Sequence, residues 1–167
     1  MNTQSEEAIS NWWNRLQDNS GGKARLKRCQ TPEEAALLPE TFSLGKLLPW
    51  LPIEARATIA GVSAYIKKSS SKKKFGEALA TPKEKNGRVP LSESRFRQLL
   101  SARDWQEVYR SLRRVVTILD GDIDLIQFVE TIILWSEELQ GKYREPGKGL
   151  KFKLSQDYYT IAMKYEK

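Results

Sequence analysis

Arginines recur on one side of the segment that runs from residue 103 to residue 114. At about 100° per residue in a helix, Arg103, Arg110 and Arg114 fall within about 40° of one another, and Arg113 flanks them. A guanidinium group presents a planar fork of N–H donors that matches the oxygens of a phosphate. The spacing therefore indicates a phosphate-binding face. A solvated helix with local ion pairs explains it equally well, because Glu107 lies among the arginines and would partly neutralise them.

Two further stretches concentrate positive charge. Residues 23–28 include Lys23, Arg25, Lys27 and Arg28 beside a Gly-Gly pair, and such density is suited to following a nucleic-acid backbone. An exposed basic loop is the equal alternative. Residues 67–74 contain only lysine and serine. Their low complexity and mutual repulsion predict a mobile loop, which either binds phosphate or serves as a solvated connector.

The residue inventory disfavours catalysis. The chain has no histidine, which is the commonest general base and metal ligand, and Cys29 is its one cysteine. One cysteine forms neither an internal disulfide nor a thiolate cluster, so we expect it to be a packing residue. Phosphate-cradling, nucleophile-elbow and dinucleotide motifs do not occur in the sequence. We predict a protein that is not an enzyme and has no metal or cofactor.

An acidic triplet resembles the start of a calcium-binding loop. Asp120, Asp122 and Asp124 have the spacing of the first three ligands of such a loop. However, Leu125 stands where that loop requires glycine, and Thr131 stands where it requires a bidentate acid. We prefer helix capping by Asp122, with Asp124 stabilised by the helix dipole.

The overall composition agrees with a polyanionic partner. The chain has 167 residues, 40% of them hydrophobic, and its 28 Lys+Arg against 21 Asp+Glu give a net charge of +7. Each phosphate that such a protein neutralises releases counterions. The polar, acidic segment 1–9 is not typical of a signal peptide, and the most apolar run, 125–135, is shorter than the ~20 residues of a membrane span. We expect a reducing, cytoplasmic setting and no membrane partner.

Apolar periodicity predicts an all-α fold. We expect an N-terminal region of short helices at 1–90, with a basic mobile loop at 67–88, and a C-terminal antiparallel helical bundle at 91–167. The helix at 122–139 is apolar almost all round, which is typical of a central helix surrounded by others. Other helices are predicted at 5–18, where Gly21-Gly22 ends the first helix, and at 53–66, 104–119 and 154–165, with starts at Thr31, Ser92 and Asp104.

The order of short motifs along the chain resembles a known family. The motifs are Trp12-Trp13-Asn-Arg-Leu16, Gly21-Gly22, Arg25-Leu-Lys-Arg28, Thr31-Pro-Glu-Glu34, Gly76-Glu-Ala-Leu-Ala80, Ser92-Glu-Ser-Arg-Phe-Arg-Gln-Leu-Leu100, Leu112-Arg-Arg114, Trp135 and Asp157-Tyr-Tyr159. Each motif is weak by itself, but their order and spacing are specific. Together they resemble the CasB family, the small subunits of type I-E CRISPR Cascade complexes, over nearly the full chain.

The resemblance implies an all-helical protein that binds nucleic acid without catalysis. It implies partners: the backbone and large subunits of Cascade, crRNA, target DNA and a second copy of the chain. In that family, basic surface residues contact the target strand and the displaced strand and stabilise the R-loop. Glu77 stands where the family has a basic residue, so that contact is not carried over. The residues that we predict to contact nucleic acid are Arg25, Lys27, Arg28, Arg103, Arg110, Arg113, Arg114, Lys142 and Arg144.

Two other functions compete with this interpretation. A free-standing DNA-binding regulator of the helix-turn-helix type would need exposed base-reading residues on a second helix, whereas the polar face at 103–119 is dominated by arginines. A structural adaptor would use the same positive surface to bind acidic protein. A sequence-independent backbone binder fits the R-loop best, because base pairing with the guide reads the sequence there.

Overall fold

The computed structural model describes residues 1–142 and 144–166. Over this part of the chain there are ten α-helices and no strand, apart from an isolated bridge between Lys68 and Asp122. The predicted all-α fold is confirmed. The helices are α1 (Thr3–Asp18), α2 (Ser20–Arg28), α3 (Pro32–Ala36), α4 (Pro39–Leu47), α5 (Ile53–Ser63), α6 (Phe75–Ala80), α7 (Glu93–Leu100), α8 (Trp105–Ile118), α9 (Leu125–Leu139) and α10 (Leu150–Ala162).

Helix α5 is the most central helix. Eight of its 11 residues are buried, and it packs against α2, α3, α4, α8 and α9. Small residues let its neighbours approach closely: a Cβ added at Gly61 would lie 2.2 Å from the hydroxyl oxygen of Tyr109 on α8. Helix α9 was predicted to be surrounded by other helices, and it packs against α1, α5, α6 and α10. It is less deeply buried than α5, because its residues Ile126, Ile133 and Leu134 are only half-buried.

Helices α6 and α10 also pack closely against each other. A Cβ at Gly76 would lie 2.7 Å from Cβ of Asp157 and 2.9 Å from the backbone oxygen of Leu154, so the two helices meet where α6 has no side chain. The sequence analysis placed this segment in a mobile loop at 67–88, but Phe75–Ala80 is a helix. Helix α10 also begins earlier and ends earlier than the predicted 154–165.

Local capping corrects two predictions about helix ends. Helix α1 ends at Asp18 as predicted, but Gly21-Gly22 does not end it; instead the side chain of Asn19 accepts a hydrogen bond from the Gly22 N–H at 2.9 Å and begins α2. Asp122 does not cap α9. The side chain of Asp124 accepts from the Gln127 N–H at 2.9 Å, and that helix starts at Leu125.

The apolar core is one continuous cluster that draws residues from both predicted regions. Helix α5 packs against α8, and α6 packs against α10, so contacts cross residue 90. The division into 1–90 and 91–167 stays a prediction. None of the described helices has the length and apolarity that a membrane crossing requires.

Candidate nucleic-acid interface

An open groove of about 880 Å³ lies between α7 and α8, and its other walls are formed by the residues after α2 and after α5. Four of its lining residues are arginines, and none is acidic. Within the described part of the chain, these four arginines form no ion pair with a carboxylate. We call this feature the arginine groove. The arginines are Arg95, Arg110, Arg113 and Arg114, and the other lining residues include Gln30, Thr31, Tyr65, Gln98 and Thr117.

Capping hydrogen bonds at the start of α8 engage its one acidic residue, Glu107. The Asp104 side chain accepts from the Glu107 N–H at 2.9 Å, which begins the helix as predicted. Glu107 in turn accepts from the backbone N–H of Arg103 at 2.7 Å. Its carboxylate therefore caps the helix start, and it forms no ion pair with the arginines of the helix. Arg103 is exposed at this end and does not line the groove.

Arg113 has a different environment from Arg110 and Arg114. Its guanidinium donates to the Tyr65 hydroxyl at 2.9 Å and to the Lys27 carbonyl oxygen at 3.4 Å. It also lies 5.5 Å from the ring centroid of Tyr65 and 5.7 Å from that of Tyr109. Arg110 and Arg114 are exposed, whereas Arg113 is half-buried. Arg113 thus joins the ends of α2 and α5 to α8 while keeping its charge at the groove wall.

The buried groups behind this wall stay neutral. Burial raises the pKa of the Tyr109 hydroxyl, with the nearby Arg113 charge acting in the opposite direction. Burial also raises the pKa of the Cys29 thiol, and the charge of Glu34 adds to the effect. The thiol donates to the backbone oxygen of Arg25 at 3.4 Å. A thiol held in its neutral form is a poor nucleophile, which agrees with the packing role expected for Cys29.

The basic cluster of α2 is divided between two environments. Arg25 forms an ion pair with Glu40 on α4 at 2.9 Å and lies outside the groove. The Lys27 ammonium lies 5.5 Å from the ring centroid of Tyr65, beside the groove. Arg28 is exposed and precedes the groove residue Gln30 by two positions. The structure therefore brings the second half of the cluster towards the groove.

Lys142 and Arg144 are not brought to the arginine groove. They line a separate pocket of about 190 Å³ at the C-terminal end of α9, together with Glu137 and Glu138. Arg144 forms an ion pair with Glu137. Acidic neighbours lower the affinity of this pocket for phosphate.

A comparison with protein families decides what kind of protein carries this groove. Residues 22–159 match the model of the family described as CRISPR-associated protein Cse2. The chain belongs to the Cse2 family. Membership confirms the resemblance to CasB, which is the same family, and identifies the chain as a CRISPR Cascade subunit. No curated protein and no solved structure matches the chain. All residues that line the arginine groove lie inside the part that matches Cse2.

The sequence interpretation of this Cse2 chain missed one wall of the groove. Arg95 and Gln98 lie three positions apart on the exposed side of α7, opposite the buried Phe96 and Leu99. That i, i+3 spacing was visible in the sequence. Their approach to α8 was not, because it depends on how two helices pack. Within residues 1–142 and 144–166, no group of acidic or cysteine side chains is placed to hold a metal ion.

Proposed function

We propose that this Cse2 protein is a non-catalytic small subunit of type I-E Cascade that binds nucleic-acid backbone. In this role it contacts the target strand and the displaced strand beside the crRNA and stabilises the R-loop in antiviral defence. The observation that carries the proposal is the arginine groove, with four arginines and no carboxylate among its lining residues. Its other partners, inferred from family membership, are the backbone and large subunits and a second copy of the chain.

The groove suits phosphates better than bases. Guanidinium groups without carboxylate partners attract phosphate oxygens and bind them as forked donors. Among the described residues, Tyr65 is the one aromatic residue that lines the groove, and its ring packs against the cations of Lys27 and Arg113. A base therefore finds no unengaged aromatic side chain on which to stack in this described lining. Binding of this kind is independent of sequence, as an R-loop subunit requires.

A small number of contacts is enough for this role. The exchange of a DNA duplex for an RNA–DNA heteroduplex is nearly balanced in free energy, so backbone contacts by the protein shift the equilibrium towards the open state. Each phosphate contact with a single strand makes the logarithm of the affinity fall with the logarithm of salt concentration by about 0.7. We therefore expect the affinity for nucleic acid to depend on salt concentration, and substitution of the groove arginines to reduce that dependence.

The test is charge reversal of Arg114 in the assembled complex. We expect Arg114→Glu to weaken target-DNA binding and to flatten its salt dependence, measured by electrophoretic mobility shift over a range of salt concentrations. Arg15→Glu on α1 changes the charge equally at an exposed position outside the groove and is the control. An unchanged salt slope for Arg114→Glu would favour a protein-only adaptor. Specific duplex binding by the chain alone would favour a regulator.

A further inference from the structure

The lysine-rich loop at 67–74 is held at both ends. The backbone N–H groups of Lys67 and Lys68 donate to the Gly121 carbonyl oxygen at 2.9 and 3.2 Å. The Leu125 N–H donates to the hydroxyl of Ser69 at 2.8 Å. At the other end, the Lys74 N–H donates to the Glu77 carboxylate at 3.2 Å. The loop is therefore fixed to the turn between α8 and α9 and to the start of α6, and residues 70–73 form its exposed tip.

Four lysines of this loop have no acidic partner. Lys74 pairs with Asp157 at 3.4 Å. In the described part of the chain, Lys67, Lys68, Lys72 and Lys73 are exposed and form no ion pair.

Among the described residues, the carboxylates of the turn next to the loop form no ion pair with these four lysines. Asp120 pairs with Lys83, and Asp124 caps α9. The backbone of Asp122 forms the bridge with Lys68 and donates to the Leu119 carbonyl oxygen. Positive charge of the loop therefore remains available to an anion from outside.

The loop continues from the wall of the arginine groove. Tyr65, which lines the groove, precedes Lys67 by two residues, and the Lys27 ammonium lies 5.5 Å from its ring centroid. Burial lowers the pKa of the Lys23 ammonium, and the charges of Lys27 and Lys67 lower it further. Positive charge therefore extends from the groove across Tyr65 to the start of the loop.

We propose that Lys27, Lys67, Lys68, Lys72 and Lys73 form a second phosphate-binding surface, the lysine track, which takes the backbone of a single nucleic-acid strand where it leaves the arginine groove. The proposal rests on the proposed function, because the groove holds the first part of the strand. A lysine ammonium binds phosphate as a point charge, so the track adds affinity and salt dependence without reading sequence.

The experiment uses the full chain and oligothymidylates of two lengths: about six nucleotides, which is near the lower end of single-strand site sizes, and about 24 nucleotides, which exceeds them. The loop variant carries Lys67→Ser, Lys68→Ser, Lys72→Asn and Lys73→Ser. Asparagine is chosen for Lys72 because that residue has φ 51° and asparagine tolerates the left-handed region. The substitutions keep the backbone hydrogen bonds of the loop. The charge-matched control changes Lys46, Lys151 and Lys153 to Ser and Lys164 to Asn.

We expect the loop variant to bind the long oligonucleotide about five- to tenfold more weakly, with a smaller salt slope, and to bind the short one within about twofold of wild type. The control should bind both as wild type does. Arg110→Ala/Arg114→Ala should weaken binding of both lengths. If the loop variant binds both oligonucleotides as tightly as wild type does, the lysine track is overturned. If the arginine variant loses affinity in that same experiment, the proposed function still stands. The track would also be overturned if the control variant lost as much affinity as the loop variant, or if the wild-type protein did not bind the oligonucleotides at low salt.

Discussion

Arg113 donates a hydrogen bond to the hydroxyl of Tyr65 at 2.9 Å, and this contact joins α8 to the end of α5 at the wall of the arginine groove. The Tyr65 hydroxyl itself donates to the Lys27 carbonyl oxygen at 2.7 Å, which adds the end of α2. One guanidinium group therefore fixes three segments that are far apart in the sequence. Its neighbour Arg114 is exposed and has no such contacts with the described residues. Adjacent arginines therefore have different environments: Arg113 shapes the groove, and Arg114 is the one that we propose contacts phosphate.

Substitution of Arg113 should lower stability. Arg113→Met removes the hydrogen bonds to Tyr65 and Lys27 and the cation–π contacts, so we expect a loss of about 2 kcal/mol in the free energy of unfolding. Arg114→Met removes an exposed arginine without partners and should change stability by less than about 0.5 kcal/mol. Urea denaturation followed by circular dichroism measures both. Equal stabilities of the two variants would show that Arg113 does not hold the wall.

Substitution of Arg25 should likewise affect the stability of the protein more than its affinity for DNA. Glu40 is 9% exposed, and among the described residues its ion-pair partner is Arg25. Arg25→Ala leaves that carboxylate without compensation, which we expect to cost about 1–3 kcal/mol. The double variant Arg25→Ala/Glu40→Gln should recover part of the loss, because no buried charge remains. Thermal unfolding measures this, and a loss of DNA affinity without a loss of stability would contradict it.

Local signals in the sequence predicted much of the fold. The predicted N-caps Thr31, Ser92 and Asp104 are confirmed, since the hydrogen bonds that they accept come from residues three positions away. The central position of α5 was not predicted, because it depends on small residues that let other helices approach. Asp124, and not Asp122, caps α9, and the turn before it contains left-handed backbone at Asp120 and Gly121, with φ 53° and 71°.

The sequence predicted only the part of the site that lies on a single helix. The 3.6-residue period places Arg110 and Arg114 on one face of α8, and both line the groove. It cannot place Arg95, which comes from another helix, or reveal that Arg25 faces a carboxylate 15 positions away. Convergence of side chains from separate helices is a property of tertiary packing, and so is the pairing of a charge with a distant partner.

Replacement of Gly76 by alanine should destabilise the protein, because α6 and α10 pack closely at this glycine. Gly76→Ala places a Cβ 2.7 Å from Cβ of Asp157 and 2.9 Å from the Leu154 backbone oxygen, so we expect a loss of about 1–3 kcal/mol. Gly21 occupies the same second position of its helix, but its nearest atom, on Arg25, would be 3.6 Å away. Gly21→Ala should therefore stabilise by about 0.5–1 kcal/mol. Chemical denaturation compares the pair, and equal shifts would contradict the close packing.

Deprotonation of the Tyr158 hydroxyl should lower the stability of the protein at alkaline pH. Its hydroxyl donates to the Leu91 carbonyl oxygen at 2.6 Å, and burial raises its pKa from 10.0 to about 12. Because the folded-state pKa is the higher one, the contribution of Tyr158 is full below pH 10 and is lost as the pH rises towards 12. Tyr158→Phe should be less stable than wild type by about 1 kcal/mol at pH 9. That difference should shrink at pH 11 in urea denaturation, and a constant difference would contradict the shift.

Arg95 gives the sharpest test of the groove, because the matched control lies on the same helix. Arg95 lines the groove and has no carboxylate partner, whereas Arg97 lies outside it and pairs with Glu93 at 2.6 Å. We expect Arg95→Ala to weaken single-strand binding and to reduce the salt slope by about 0.7, because one phosphate contact is lost. Arg97→Ala should leave the slope unchanged. The slopes come from fluorescence anisotropy over a range of salt concentrations. Equal slopes for the two variants would mean that net charge alone, and not the wall of α7, attracts the strand.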